Sequence, residues 1–278
     1  MISLLVISFV AAIVNGALGY GFSSIAVPLA LLFVDNRVLT PALVLLEVVL
    51  NAHVLWVNRE ALPRVWRRAA FVVIGLAPGV AVGTAALTHV DPAVLKLATF
   101  ITLLPLLLLQ AWGYRRVIRA ERAASFALGS GVGALYAITT ISGPPLAMFL
   151  NNQGLAKRDF RAAIGGIRFA ECVFATALYL HAGLFTEVSL ELLPSIVPSV
   201  ILGVPVGAWL IRRMREESFR RICMSFDAAI VAFGASVLLR ALHLVEGGVA
   251  YSLFAVVVLF DAFVLYRFFR PSSARVLS

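Results

Sequence analysis

Residues 8–33 read SFVAAIVNGALGYGFSSIAVPLALLF, and residues 125–150 read SFALGSGVGALYAITTISGPPLAMFL. In ungapped register, at an offset of 117 residues, eight of the 26 positions are identical. Gly16/Gly133, Ala17/Ala134, Leu18/Leu135 and Pro28/Pro145 are among them. Each copy is an apolar run broken in its middle by Gly, Ser, Thr and Pro. Interrupted hydrophobic segments at corresponding positions of two halves are where repeat-built membrane transporters hold their substrate.

The rest of the chain fits a membrane setting. Hydrophobic residues make up 62% and charged residues 13%, with a mean hydropathy of +0.99. Soluble domains carry roughly 25% charged residues. Runs of about 20 apolar residues, each enough for a bilayer core of about 30 Å, recur along the chain. They are 3–34 (broken), 38–57, 69–88, 92–112, 124–150 (broken), 162–182, 189–211, 219–241 and 249–268. No stretch is left for a soluble domain. Residues 1–12 hold no Lys or Arg, so the basic start of a signal peptide is missing.

The net charge of +9 comes from short loops between the spans, which argues for membrane topology and against a nucleic-acid partner. Of the 23 Lys and Arg, 19 lie in loops 58–68, 113–123, 151–161 and 212–221 and in the tail. The connections near 89–91, 183–188 and 242–248 hold none. Basic loops stay in the cytoplasm. The second broken segment has a basic loop on each side, so the charge rule favours a hairpin that enters from the cytoplasm and returns. By the same logic the first enters from outside, with the N-terminus outside and the C-terminus cytoplasmic. The alternative is a long, kinked single span. Trp56, Trp66, Trp112 and Trp209 sit near the cytoplasmic ends, as an interfacial belt does.

Further along, the offset grows to 124: Glu47 meets Glu171, and Gly79/Gly83 meet Gly203/Gly207. The expected architecture is therefore an all-α membrane protein of two inverted-topology repeats. Each repeat is a broken or re-entrant hairpin plus three transmembrane helices: residues 1–112 and 124–241, joined by a basic linker at 113–123. Residues 249–268 add an unpaired helix. The Gly-xxx-Gly pairs read as close helix packing.

The breaks carry the candidate chemistry. In Thr139-Thr140-Ile141-Ser142-Gly143-Pro144-Pro145, Ser142 is a fitting N-cap and the prolines suit a first helical turn. Asn15, Gly19, Tyr20, Ser23 and Ser24 form the corresponding run in the first copy. Two half-helix N-termini ringed by hydroxyls suit an anion. The competing reading is a pair of kinks that only allow close packing. Intramembrane charges are functional candidates by default: Glu47, Arg168, Glu171, Asp227 and Asp261. Arg168 and Glu171, three apart, share a helix face and can pair. Arg168 near the tips would attract an anion, and Glu47 or Glu171 would admit one only when protonated. A structural Arg–Glu tie is the other reading. Asp261 reads as helix packing or a homo-oligomer contact. His53, His89, His181 and His243 make no metal-ligand spacing, Cys172 and Cys223 read as buried thiols, and no cofactor is expected.

The run from Asn15 to Ser24, Pro28 and Ser142-Gly143-Pro144-Pro145 resemble those of the sulfite exporter TauE/SafE family. The resemblance spans essentially the whole chain. It implies transport of sulfite, sulfoacetate or related organosulfonates across the bacterial inner membrane, often outward; the spans themselves show no nucleophile–base or metal constellation, so no enzymatic activity is expected. The sequence reading is thus a secondary transporter of a small sulfur-containing anion, working by alternating access with protons as the candidate coupling ion. A passive anion channel, or a carrier of another small organic anion, is the alternative.

Overall fold

The computed structural model describes residues 2–18, 20–112, 122–151, 153, 155–213, 216–241, 244–245 and 247–269. Gly19, most of the basic linker and the last residues of the tail lie outside these. So do the side chains of Trp112, Cys223 and Asp227. The described residues form helices and no strands. The first broken segment is α1 (Ile2–Leu18) and α2 (Phe22–Ala30). It is followed by α3 (Asn36–Asn58), α4 (Leu62–His89) and α5 (Pro92–Trp112). The second broken segment is α6 (Arg122–Thr139) and α7 (Gly143–Asn151). After it come α8 (Lys157–His181), the short α9 (Glu187–Leu190), α10 (Leu193–Leu210), α11 (Glu216–Ala241) and α12 (Ser252–Phe269).

Among the described residues, four helical stretches are long and apolar enough to cross a bilayer: Asn36–His89, Arg158–His181, Glu187–Leu210 and Gly247–Phe269. The first is 54 residues long and is split by the charged turn Arg59–Ala61. The chain is therefore a multi-pass membrane protein. Trp56, Trp66 and Trp209 are about half exposed or more, and Arg59 and Arg213 each lie 4.3 Å over the rings of Trp56 and Trp209.

Glycine decides how the helices pair. Along α4, Gly75, Gly79 and Gly83 press against Phe126, Ser130 and Ala134 of α6. Along α10, Gly203 and Gly207 press against Phe9, Ala12 and Ile13 of α1, and the hydroxyl of Ser199 donates to the Leu5 carbonyl at 3.0 Å. Numbers rise together on both members of each pair, so both pairs run parallel. An added Cβ at Gly79 or Gly207 would strike the backbone carbonyl of Ser130 or Ile13. With no hydrophobic drive between helices in lipid, such close backbone approach is what holds them together. The pairing is reciprocal: the first arm of each broken segment lies on the Gly-xxx-Gly helix of the other half. α3 packs on α8, and α5 on α11.

Candidate anion site at the two breaks

The breaks touch. The hydroxyl of Thr140 lies 3.0 Å from that of Ser23, and a Cβ on Gly143 would meet Tyr20 Cδ2 at 3.0 Å and Arg168 Nη1 at 3.2 Å. Thr140 has φ +56°, a left-handed conformation that a β-branched residue avoids. Its amide donates to the Tyr136 carbonyl at 2.6 Å, and its hydroxyl lies 2.7 Å from the Thr139 carbonyl.

The last carbonyls of α6 would be orphans at a helix end inside a membrane, and each is met. Asn36 Nδ2 and Thr40 Oγ1 donate to the Ile138 carbonyl, both at 3.1 Å, and Tyr179 Oη donates to that of Ala137. Thr139 is spent locally: it donates to the Leu135 carbonyl at 2.7 Å and accepts from the Ile141 amide at 3.0 Å.

Behind the breaks stands a buried charged cluster, supplied by α3 and α8. Glu47, Arg168 and Glu171 are 1%, 2% and 0% exposed. Arg168 Nη2 donates to Glu47 Oε1 at 2.7 Å, its Nη1 to Ser142 Oγ at 3.3 Å and its Nε to Asn51 Oδ1 at 3.3 Å. Glu47 also accepts from Ser23 Oγ at 2.6 Å and Tyr136 Oη at 3.0 Å. Ser142 donates to Glu171 Oε2 at 2.5 Å, and Glu171 Oε1 has no hydrogen-bond partner among the described residues. One guanidinium therefore faces two carboxylates, each held by a serine from a break. Desolvating such a group costs more than its pairing returns unless every partner is satisfied, and Glu171 Oε1 is not.

Two readings need correcting. Arg168 does not pair with Glu171 on its own helix; it reaches Glu47 on α3. Their i, i+3 spacing gives a shared face but does not fix which way a long side chain extends. Ser142 starts α7 by accepting the Leu146 amide at 3.1 Å, yet its hydroxyl serves Glu171 and Arg168 rather than capping the helix. Because Pro144 and Pro145 carry no N–H, the first turn of α7 offers only the amide of Gly143. At α2, Gly21 at φ +96° leads into the helix and no side chain caps its first turn, so the amides of Phe22, Ser23 and Ser24 are not taken by a capping side chain. The positive groups at the breaks are thus the Arg168 guanidinium, the single Gly143 amide of α7 and the uncapped first turn of α2.

Of the remaining candidates, Tyr20 packs edge-on against Phe160, with centroids 6.2 Å apart. Ser24 is buried at 2% exposure. Asn15 lies apart from the cluster, on a cavity of about 150 Å³ that also touches His53, Asn58 and Arg161. Asp261 is buried, at 5% exposure, on α12. Among the described residues no group of His, Cys, Asp and Glu could hold a metal. Tyr136 and Asn51 belong to the cluster; both stand one turn from a candidate, Thr140 and Glu47, a spacing that points to a shared face.

Neither the curated proteins nor the solved structures include a match to this chain. The family model described as Sulfite exporter TauE/SafE matches residues 4–234, which take in both breaks, the charged cluster and both Gly-xxx-Gly helices. The chain belongs to the sulfite exporter TauE/SafE family of membrane transporters.

Proposed function

We propose that the chain is a secondary transporter that moves a small sulfur oxyanion or organosulfonate out across the bacterial inner membrane by alternating access. The observation that carries this reading is the Arg168–Glu47 ion pair, buried where the two breaks meet. A sulfite or sulfonate head group offers several oxygens to a planar guanidinium, which suits bidentate pairing. The Gly143 amide and the hydroxyls of Ser23, Thr140 and Ser142 surround it. Arg168 is already neutralised by Glu47, so an incoming anion must displace a carboxylate. Protonating Glu47 or Glu171 removes that competition, and the anion then binds together with a proton.

The proposed frame is two inverted repeats, residues 1–112 and 124–241, with both broken segments re-entrant. Contacts support it for the second. Arg122, at the start of α6, lies 5.4 Å over the ring of Phe71 in α4. After α7, the chain enters α8, where Arg158 binds Glu60 in the turn before α4 and Asp159 binds Arg64 in its first turn. Both ends of the segment thus lie toward the start of α4. Loop charge assigns that side to the cytoplasm.

Flux in proteoliposomes tests the function. Sulfite uptake driven by internal sulfite (counterflow), and lost in Arg168→Gln, is the expected result. Uptake that shows no counterflow identifies a channel. Sulfite flux unaffected by Arg168→Gln removes the site.

A further inference from the structure

The 124-residue offset that relates Glu47 to Glu171 also relates Asp35-Asn36-Arg37, at the start of α3, to Asp159-Phe160-Arg161, in the first turns of α8. Both stretches therefore read Asp-x-Arg followed by Glu ten residues after the Arg. The structure treats the two copies differently. Arg37 closes over the last turn of α4: its Nε donates to the Leu87 carbonyl and its Nη2 to those of Thr88 and Val90, each at 2.8 Å. Next to it Asp35 binds Lys96 of α5 at 2.8 Å. A cation on the free carbonyls at the negative end of a helix is a favourable clamp. It ties the starts of α3 and α5 to the end of α4.

Arg161 has no such clamp. Adding 124 to Leu87 and Thr88 gives Ile211 and Arg212, at the end of α10. No hydrogen bond or ion pair joins Arg161 to any described residue; it lines the 150 Å³ cavity between α1, α3 and α10. Asp159 is held by Arg64 of α4 at 2.9 Å. The helices differ in the same sense: α4 packs along α8, whereas α10 barely touches α3. The end of the bundle with Arg37 is drawn shut, and the end with Arg161 is parted.

We infer that Arg37 and Arg161 are reciprocal latches. Arg37 fastens the outer end by binding the last carbonyls of α4. Arg161 fastens the cytoplasmic end by binding those of Ile211 and Arg212 on α10, and the two engage in turn. The structure is the state with the outer latch made and the inner one released. This rests on the alternating-access reading above but not on the identity of the anion.

The test uses a membrane-impermeant maleimide on reporters in a Cys172→Ser/Cys223→Ser background. Ala208→Cys reports the inner cavity, which Ala208 lines. Thr84→Cys reports the matching outer position, 124 residues earlier. With Arg37→Gln, labelling of Thr84→Cys rises about tenfold and that of Ala208→Cys falls, the population shift that follows loss of charge-assisted hydrogen bonds in one state. Arg161→Gln keeps Ala208→Cys reactive and Thr84→Cys protected. Arg37→Lys, which keeps the charge but not the fork, gives an intermediate rate. Unchanged labelling, or equal rises at both reporters, overturns the latch; the latter would show that Arg37 merely supports the fold. Sulfite flux measured on the same wild-type preparation separates the two proposals. Absent flux with side-specific labelling sinks the substrate reading alone. Flux without side-specific labelling sinks the latch alone.

Discussion

Ser23 and Thr140 stand 117 residues apart, the offset of the duplicated segment, and their hydroxyls meet at 3.0 Å. Two equivalent positions of a repeat touch where the halves come together. One of them, Thr140, holds φ +56°. A strained residue persists only where its surroundings over-determine it. Here these are the Tyr136 carbonyl, the Ser23 hydroxyl and the Tyr179 clamp on the preceding turn. Replacing Thr140 separates strain from hydrogen bonding. Thr140→Val keeps the strain, of about 1–3 kcal/mol, and loses a hydrogen bond worth about 1 kcal/mol, so its thermal unfolding temperature in detergent should fall. Thr140→Gly loses the same bond but relieves the strain, and should unfold close to or above the wild type. Both should transport poorly. A Thr140→Gly protein less stable than Thr140→Val would show that no strain is stored at the break.

The Arg168–Glu47 pair predicts a double-mutant cycle of definite sign. Glu47→Gln removes the carboxylate that Arg168 binds directly and leaves only Glu171 near it, and Arg168→Gln leaves two carboxylates facing each other with no cation. Removing one partner of a buried pair costs about 3–5 kcal/mol. Glu47→Gln/Arg168→Gln removes both charges and should be more stable than Arg168→Gln alone, while still failing to transport. Strictly additive losses in unfolding temperature would show that the two do not interact.

Proton coupling has a sign fixed by electrostatics. If, as proposed, an anion and a carboxylate compete for Arg168, binding the anion should take up a proton, and affinity should rise as pH falls. A sulfonate is the better probe, because its charge is constant across the neutral range whereas sulfite titrates. Sulfonate uptake should therefore increase as the pH of the loading side is lowered. Glu171→Gln should flatten that dependence at its carboxylate and retain substantial uptake near neutral pH. Uptake that rises with pH on the loading side would exclude this coupling.

Gly143 tests the site sterically. A Cβ there meets Tyr20 at 3.0 Å and Arg168 Nη1 at 3.2 Å. Gly143→Ala asks these side chains to give by a few tenths of an ångström and should fold with weakened uptake. Gly143→Leu fills the space in front of the guanidinium and should abolish uptake. Normal transport by Gly143→Leu would move the anion site elsewhere.

The sequence exposed some of this directly. Breaks in apolar runs, glycines spaced by four and charges inside spans each have a local signature, so the breaks, the paired helices and Glu47, Arg168 and Glu171 were readable. The partner of Arg168 was not, because Glu47 is 121 residues away and only the packing of α3 on α8 brings them together. The short supply of amides at α7 was readable from Pro144-Pro145, yet the general expectation for a helix N-terminus obscured it. Arg161 sits at a span end beside Lys157 and Arg158, where charge reads as topology, and Arg37 is a lone basic residue at the start of a span. Following the 124 offset back from Glu47 and Glu171 is the signal that singles them out.

The reciprocal helix pairs give the last prediction. Gly79 and Gly207 belong to the two matching Gly-xxx-Gly pairs, one on α4 against α6 and the other on α10 against α1. In each case an added Cβ falls on a backbone carbonyl, which cannot swing aside as a side chain can. The helices must separate, and forcing extra volume into a packed contact costs about 1–3 kcal/mol. Gly79→Ala and Gly207→Ala should therefore both lower the unfolding temperature. Gly131→Ala, on α6 with nothing within 4 Å of the added methyl, should not lower it, and can raise it because Ala is the better helix former. These packed pairs also carry the first arm of each broken segment, so the two destabilised variants should transport less even at temperatures where they remain folded. Equal stability of Gly79→Ala, Gly207→Ala and Gly131→Ala would mean that the backbones of these helices do not meet as closely as the structure has them.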